Sequence, residues 1–180
     1  MIKPLDTSSI MISSAYSTYE WQEPNFRAVN KFYKKQKHKG SASGDERVFV
    51  IVETARPDLE TNDTLEDSIE NSIIAAVRLV PGVSHDDSNN NSHTGYYWLR
   101  SLYVDKSLRG QNLGSQLLNY LHNHIKQDIH CFPYTHLQHF YEQSNYQLTL
   151  PKNAPLPLQQ LYARYNRKGD SILLMSHLRQ

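Results

Sequence analysis

Apolar and polar positions recur along this chain with two different periods, and the changes of period divide it into elements. Glu46–Glu53 (ERVFVIVE) and Ser72–Val80 (SIIAAVRLV) are apolar runs rich in β-branched residues, and they predict two strands that pair as a hairpin. Trp98–Val104 (WLRSLYV) predicts a third. The period then shifts to that of a helix: Leu113, Leu117, Leu118, Leu121 and Ile125 fall on one face. Asp128–Phe132 (DIHCF) reads as a short buried strand. Pro133 and Thr135 introduce a helix over His136–Gln143, with Leu137, Phe140 and Tyr141 turned inward. A strand over Tyr146–Leu150, a proline-rich stretch at 151–157, a helix over Leu158–Asn166 and a final strand over Ser171–Leu178 complete the second half.

The first half is less regular. Ile10–Tyr16 reads as a short opening strand. Pro24 and Asn25 open a helix that runs to about Lys37 and turns Phe26, Val29, Phe32 and Tyr33 to one side. Its end, KKQKHKG, sets cations at the negative end of the helix dipole, and Gly40 is the predicted stop. The polar stretches 54–71 and 81–95 read as loops, the second a mobile one. The chain shows no repeat and no linker, so a single domain over residues 1–180 is expected. Helices interspersed with adjacent hairpins make it mixed α/β.

Composition narrows the classes. With 19 basic and 18 acidic residues the net charge is +1, which leaves no global field for nucleic acid or a membrane surface. The lysines after the first helix have no second basic cluster to extend them, so they read as a solvated helix end. A single cysteine, Cys131, excludes an internal disulfide and fits a reducing compartment. No apolar run reaches membrane length, and a soluble cytoplasmic protein, monomer or homodimer, is expected.

Chemistry concentrates where the third strand meets the long helix. Arg109, Gly110, Gln111, Asn112 and Gly114 are small, turn-tolerant or charged, and the N-terminus of the helix offers unpaired N–H groups to an anion. A phosphate-bearing ligand is the first inference. A nucleotide loop of the Walker type is disfavoured, because Ser115–Gln116, not Lys–Ser/Thr, follows Gly114.

The stretch VDKSLRGQNLGSQLL resembles the acetyl-CoA-binding motif of the GCN5-related N-acetyltransferases (GNAT), Arg/Gln-x-x-Gly-x-Gly/Ala after a strand ending in Val. The matching residues are Val104, Arg109, Gly110, Gly114 and the Leu117–Leu118 pair. A second family element, Phe-Tyr-Glu-x-x-Gly-Phe, resembles Phe140–Tyr146, and the order of segments from Glu46 to Leu150 is similar to the family's core. Asn112 and Asn145 stand where the family has glycine; Asn tolerates a left-handed backbone, and at position 112 it also suits a helix N-cap. Tyr134 stands where many members carry an Asn that contacts the cofactor.

The resemblance implies a GNAT-like acyl-CoA N-acyltransferase fold, a mostly antiparallel, splayed sheet flanked by helices. It also implies acetyl transfer from acetyl-CoA to a primary amine of a small molecule or peptide. Backbone N–H groups over Gln111, Asn112, Leu113, Gly114 and Ser115, with Arg109 and Gly110 before them, would hold the pyrophosphate. Leu102, Tyr103 and Val104 would pair with the pantetheine arm like an added strand, and an N–H there would hold the oxyanion. Tyr141 would protonate the departing thiolate, whereas periodicity alone makes it a core aromatic.

No general base stands out; Glu53, His130 and His136 are conceivable, and a chain of waters serves at least as well. Cys131, in an apolar run, reads as an inert thiol. His136 and His139 lack the neighbours that a metal site needs, so none is expected. The acceptor pocket falls to Tyr16–Phe32, 81–95 and the segment after Leu150. Tyr16, Tyr19, Trp21 and Phe26 serve equally well as its lining or as core. The competing reading is a coenzyme-A-binding regulatory module without turnover.

Overall fold

The structure, a computed structural model, describes residues 16–22, 25–54, 72–83, 95–167, 169 and 171–179. The predicted opening strand, apart from Tyr16, and most of both predicted loops lie outside the described residues.

In chain order the elements are β1 (Tyr16–Glu20), α1 (Arg27–Lys35), β2 (Arg47–Glu53), β3 (Ile73–Val83), β4 (Gly95–Val104), α2 (Leu113–His124), β5 (Asp128–Cys131), α3 (Gln138–Glu142), β6 (Gln147–Leu148), α4 (Leu156–Asn166) and β7 (Met175–His177). Seven strands form one sheet in the order β1-β2-β3-β4-β5-β7-β6. Every neighbouring pair is antiparallel except β4 and β5, which the α2 crossover makes parallel.

The apolar runs of β2 and β3 are continuous because helices cover both faces of the sheet. Alternate residues of β2 divide accordingly: Phe49 and Ile51 join the core under α2, while Val48, Val50 and Val52 join the core under α1. Leu117, Leu118, Leu121 and Ile125 of the α2 stripe are fully buried. Each contributes about 1.5–3 kcal/mol by leaving water, and together they clamp α2 to the sheet. A third cluster sets Leu158 of α4 against Tyr96 on β4. Among the described residues no helix is long and apolar enough to cross a membrane.

Several expectations change, among them the strand over Tyr146–Leu150, which narrows to Gln147–Leu148. The loop predicted at 81–95 begins later and ends earlier, because Pro81, Gly82 and Val83 pair with Tyr97, Tyr96 and Gly95. Helix α1 stops at Lys35, not at Gly40. Lys37 takes a left-handed φ of 58°, and the N–H groups of His38 and Lys37 bond to the carbonyls of Tyr33 and Lys34 at 2.9 Å each, a Schellman closure. Leu137, predicted inward, is 37% exposed: Thr135–Leu137 form a 3-10 turn before α3 starts, which rotates it off the buried face. The last strand is shorter than Ser171–Leu178, since Ile172 makes only an isolated bridge to Tyr134.

Candidate active site

The parallel pairing of β4 with β5 ends at Leu99 and Cys131. Beyond that point β4 keeps β3 on one side, and no strand among the described residues pairs with its other edge, which leaves a gap. The β3–β4 register also shifts between Ala76 and Arg78, opposite Ser101, whose φ is 56°. A serine at positive φ is costly and persists only where its surroundings fix it. Three groups do so. The Tyr33 hydroxyl donates to the Ser101 carbonyl at 2.9 Å, Arg78 Nη2 donates to Ser101 Oγ at 3.0 Å, and His38 Nε2 lies 2.8 Å from the same Oγ.

At this splay lies a cleft of about 270 Å³. Its inner wall carries Leu99, Cys131 and Tyr141; its outer wall carries His38, Arg100, Ser101 and the aromatic side chains of Trp98, Phe132 and Tyr165. Burial pushes the Cys131 thiol and the Tyr141 phenol well above their ordinary pKa values, with each other's proximity adding to the shift on Tyr141. Both groups stay protonated at neutral pH.

From Ser101, on the cleft wall, β4 runs on to the strand–helix join. Leu102, Tyr103 and Val104 continue β4 along the gap, half-buried. The turn after Val104 is pinned by Asp105. Its carboxylate accepts from the Ser107 N–H at 3.0 Å, the Ser107 hydroxyl at 2.8 Å and Gln36 Nε2 at 2.9 Å. Those bonds, with Lys35 nearby, hold the Asp105 carboxyl below its usual range. Arg109 ties back to the strand through Nε and the Val104 carbonyl at 3.2 Å. Gly110 and Asn112 both take left-handed φ, 79° and 61°, and swing the chain into α2. Asn112 therefore supplies the backbone form expected of it, but its side chain makes no capping bond. With the first helical bond running from the Gln116 N–H to the Asn112 carbonyl, helix geometry leaves the N–H groups of Leu113, Gly114 and Ser115 without intrahelical partners. Gln111 is exposed beside them. Gly114 has a packing role as well: a Cβ there would lie 3.1 Å from the Phe140 ring, so its absence lets α3 close on α2.

The structure thus brings Tyr141 to the cleft wall, whereas Leu102–Ser115 do not line the cleft and instead run on from Ser101 along β4 and into α2. It separates the conceivable bases from both. His130 is buried against Tyr96, with Nδ1 2.7 Å from Ser176 Oγ, and His136 stacks on Tyr134 at the surface. Neither they nor Glu53 line the cleft. Tyr134 does, although it is 54% exposed. Trp21 is buried in the core under α1, with Tyr19 and Phe26 packed against it, and Tyr16 packs on the α2 side, so these aromatics are core.

Sequence reasoning missed His38. The run KKQKHKG carries no local signal that its histidine differs from its lysines. The Schellman turn delivers His38 to the cleft, where it packs on Tyr103 with ring centroids 4.6 Å apart. Gly40 makes room for it, since a Cβ there would stand 2.7 Å from His38 Nε2 and 3.0 Å from Arg78 Nη2. Burial, then Arg78 and Arg100, lower its pKa, so the imidazole is neutral near pH 7. Among the described residues no three His, Cys, Asp or Glu side chains converge as metal ligands.

Residues 61–148 match the family model of the acetyltransferase (GNAT) domain. They belong to the GNAT family. The rest of the chain completes a GNAT fold. Arabidopsis thaliana NAA60 in complex with a bisubstrate analogue superposes with a TM-score of 0.60 at 11% identity, over 92% of this chain and 99% of that one. The same protein in complex with acetyl-CoA gives 0.58 at 9% identity, over 89% and 96%. N-acetylglutamate synthase from Neisseria gonorrhoeae, complexed with coenzyme A and N-acetyl-glutamate, gives 0.54 at 9% identity over 90% of this chain and 34% of the synthase. At such identities the likeness is one of fold. No curated protein matches the chain in sequence.

Proposed function

We propose that this protein, acting as one domain over residues 1–180, transfers an acetyl group from acetyl-CoA to a primary amine by direct attack. The observation that carries the reading is the splay itself: a cleft flanked by a free strand edge, the open N-terminus of α2 and a buried, protonated tyrosine. NAA60 with acetyl-CoA and the synthase with coenzyme A, both of this fold, support the choice of co-substrate.

In this reading the N–H groups of Gln111–Ser115 and the dipole of α2 receive the pyrophosphate, with Arg109 and Gly110 shaping the loop before them. Leu102–Val104 pair along the pantetheine arm. That places the thioester in the gap beside Ser101, where a backbone N–H of β4 holds the developing oxyanion. An acceptor arrives as an ammonium and must first lose a proton. Arg78 occupies one lone pair of Ser101 Oγ and leaves the other for the ammonium, while the tautomer of His38 with its proton on Nδ1 accepts the hydroxyl proton at Nε2. The ammonium proton passes to Oγ as the serine proton passes to His38. The free amine attacks the carbonyl carbon, the C–S bond breaks, and the thiolate takes the Tyr141 proton. Nitrogen gives its second proton to solvent water as the intermediate collapses; solvent then returns a proton to Tyr141 and takes the one held by His38. The protonated Cys131 thiol is a poor nucleophile, which favours direct attack over an acyl-cysteine.

Thiol release from acetyl-CoA across an amine panel tests this. The wild type should turn over at least one amine, and Tyr141→Phe should lower kcat by about 10²–10⁴-fold while acetyl-CoA binding is retained. Binding without turnover of any amine would make the protein a coenzyme-A-binding module instead.

A further inference from the structure

Two paired arginines differ sharply in their circumstances: Arg100 lines the cleft, and Arg78 is buried behind it. Arg78 and Arg100 are direct partners in the β3–β4 register and share one face of the sheet. Like charges in that arrangement repel. Arg78 is compensated: it is 1% exposed and bonds to both carboxylate oxygens of Glu46, at 3.0 and 3.4 Å, as well as to Ser41 and Ser101. Arg100 has no anionic partner among the described residues. Its guanidinium lies over the Trp98 ring, 4.4 Å from the centroid, and its charge depresses the neighbouring His38. That stacking holds the guanidinium in place, and among the described residues its N–H groups have no hydrogen-bond partner, so they can meet a ligand.

No carboxylate side chain lines the cleft among the described residues. An acceptor whose only charge is its ammonium therefore enters a site already positive from Arg100, with nothing to draw it in. An amine that also bears a carboxylate reverses the balance, because the carboxylate meets Arg100 while the amine meets Ser101 and His38. The remaining surface is apolar: Trp98, Phe132 and Tyr165 pack together with ring centroids 5.4–6.5 Å apart, and Ile172 stands beside them. At about 270 Å³ the cleft is below the roughly 300–1,000 Å³ of sites that enclose larger ligands.

Resting on the acetyl-transfer reading above, we propose that the acceptor is a small amino acid-like molecule, a primary amine carrying a carboxylate for Arg100 and an apolar or aromatic body for the Trp98–Phe132–Tyr165 wall.

The test uses pairs of amines that differ only in the carboxylate: phenylalanine with phenethylamine, and leucine with isoamylamine. The wild type should favour the carboxylate member of a pair by at least about tenfold in kcat/KM, mainly through KM, as expected for a charge-assisted bond to arginine. Arg100→Gln should abolish the preference, Arg100→Lys should keep part of it, and neither should change the KM for acetyl-CoA. Calorimetric titration of the same amines into coenzyme-A-loaded protein reads the preference without turnover. Tighter binding of the carboxylate member that is lost in Arg100→Gln supports the assignment. Equal binding within each pair, binding of no member, or a preference that survives in Arg100→Gln overturns it. Failure to bind acetyl-CoA at all would instead sink the acetyl-transfer reading, so the two failures are distinct.

Discussion

The two halves of the proposed site are built in opposite ways. The donor side, Leu102–Ser115, is one continuous segment whose proposed work is done by its backbone: a strand edge, two left-handed residues and a helix start. The acceptor side gathers His38, Arg100, Phe132 and Tyr165 from four separate parts of the chain and works through side chains. A backbone site needs only local geometry, and glycine or asparagine at the turning points suffices. A side-chain site of this kind depends on groups behind it. The clearest case is Ser101, whose unusual backbone is held by Tyr33, His38 and Arg78 together.

If that contrast is right, the largest effect of a single change falls behind the acceptor side. Arg78→Met removes a buried cation and leaves Glu46, whose side chain is only 11% exposed, without its partner. Breaking such a pair costs about 3–5 kcal/mol, and Ser101 loses one of its three restraints. Urea unfolding should show the midpoint falling accordingly. A shift under about 1 kcal/mol would mean that Arg78 is not what organises this side.

The donor side should answer to crowding rather than to charge. Gly114→Val brings a branched side chain against Phe140, where even a Cβ has only 3.1 Å, and overpacking of this kind costs about 1–3 kcal/mol. Phe140 adjoins Tyr141, and the moved residues border the proposed pyrophosphate seat. Acetyl-CoA affinity, measured by calorimetry, should weaken at least about tenfold, equal to about 1.4 kcal/mol. Arg109→Gln should do much less, because its Nε already bonds to the Val104 carbonyl and the site's donors are backbone groups.

The same contrast explains what was legible in the sequence. The donor segment could be read because everything it needs lies within about fourteen residues, and Leu113–Ile125 announced its buried face by spacing alone. Gly114 was legible as small, but its packing reason was not, since Phe140 lies on another element. The strands of the centre were legible from β2 and β3, whose apolar runs are covered on both faces. His38 was hidden in a lysine-rich run, and the end of α1 was misplaced because a lysine, not a glycine, makes the left-handed turn. Arg100 was visible as a residue and not as an uncompensated charge, because that depends on Glu46 pairing with Arg78 across the sheet.

A smaller change sharpens the comparison. Gly40→Ala sets a methyl group against His38 Nε2 at 2.7 Å and Arg78 Nη2 at 3.0 Å. One of the two must move, and the imidazole is the freer, with only Ser101 Oγ as its hydrogen-bond partner among the described residues. Acetyl-CoA binding should be unchanged, while kcat falls about tenfold, equal to about 1.4 kcal/mol of transition-state stabilisation. An equal loss in cofactor binding would show that the two sides are not separable.

The least visible effect at neutral pH is the response to acid, and it too should divide. His38 is depressed by burial and by Arg78 and Arg100, so turnover should persist below pH 6.5 before it fails, and His38→Gln should lose this acid limb along with most activity. Tyr141 is raised, so no loss is expected on the alkaline side up to about pH 10. Stability follows a different histidine. His122, on the buried face of α2, is pushed down to about 4 by burial, then by His177 stacked on it and by Arg179. Its neutral form is favoured only in the folded state. The stability it contributes is therefore complete above its unfolded value near 6.5, declines as the pH falls, and is gone once the pH passes below about 4. Unfolding midpoints measured from pH 7 to pH 4 should drop in the wild type and drop less in His122→Gln, whose turnover should keep the His38 acid limb wherever it remains folded. If His38→Gln flattened the stability profile and His122→Gln the rate profile, the assignment of chemistry to one histidine and packing to the other would be reversed.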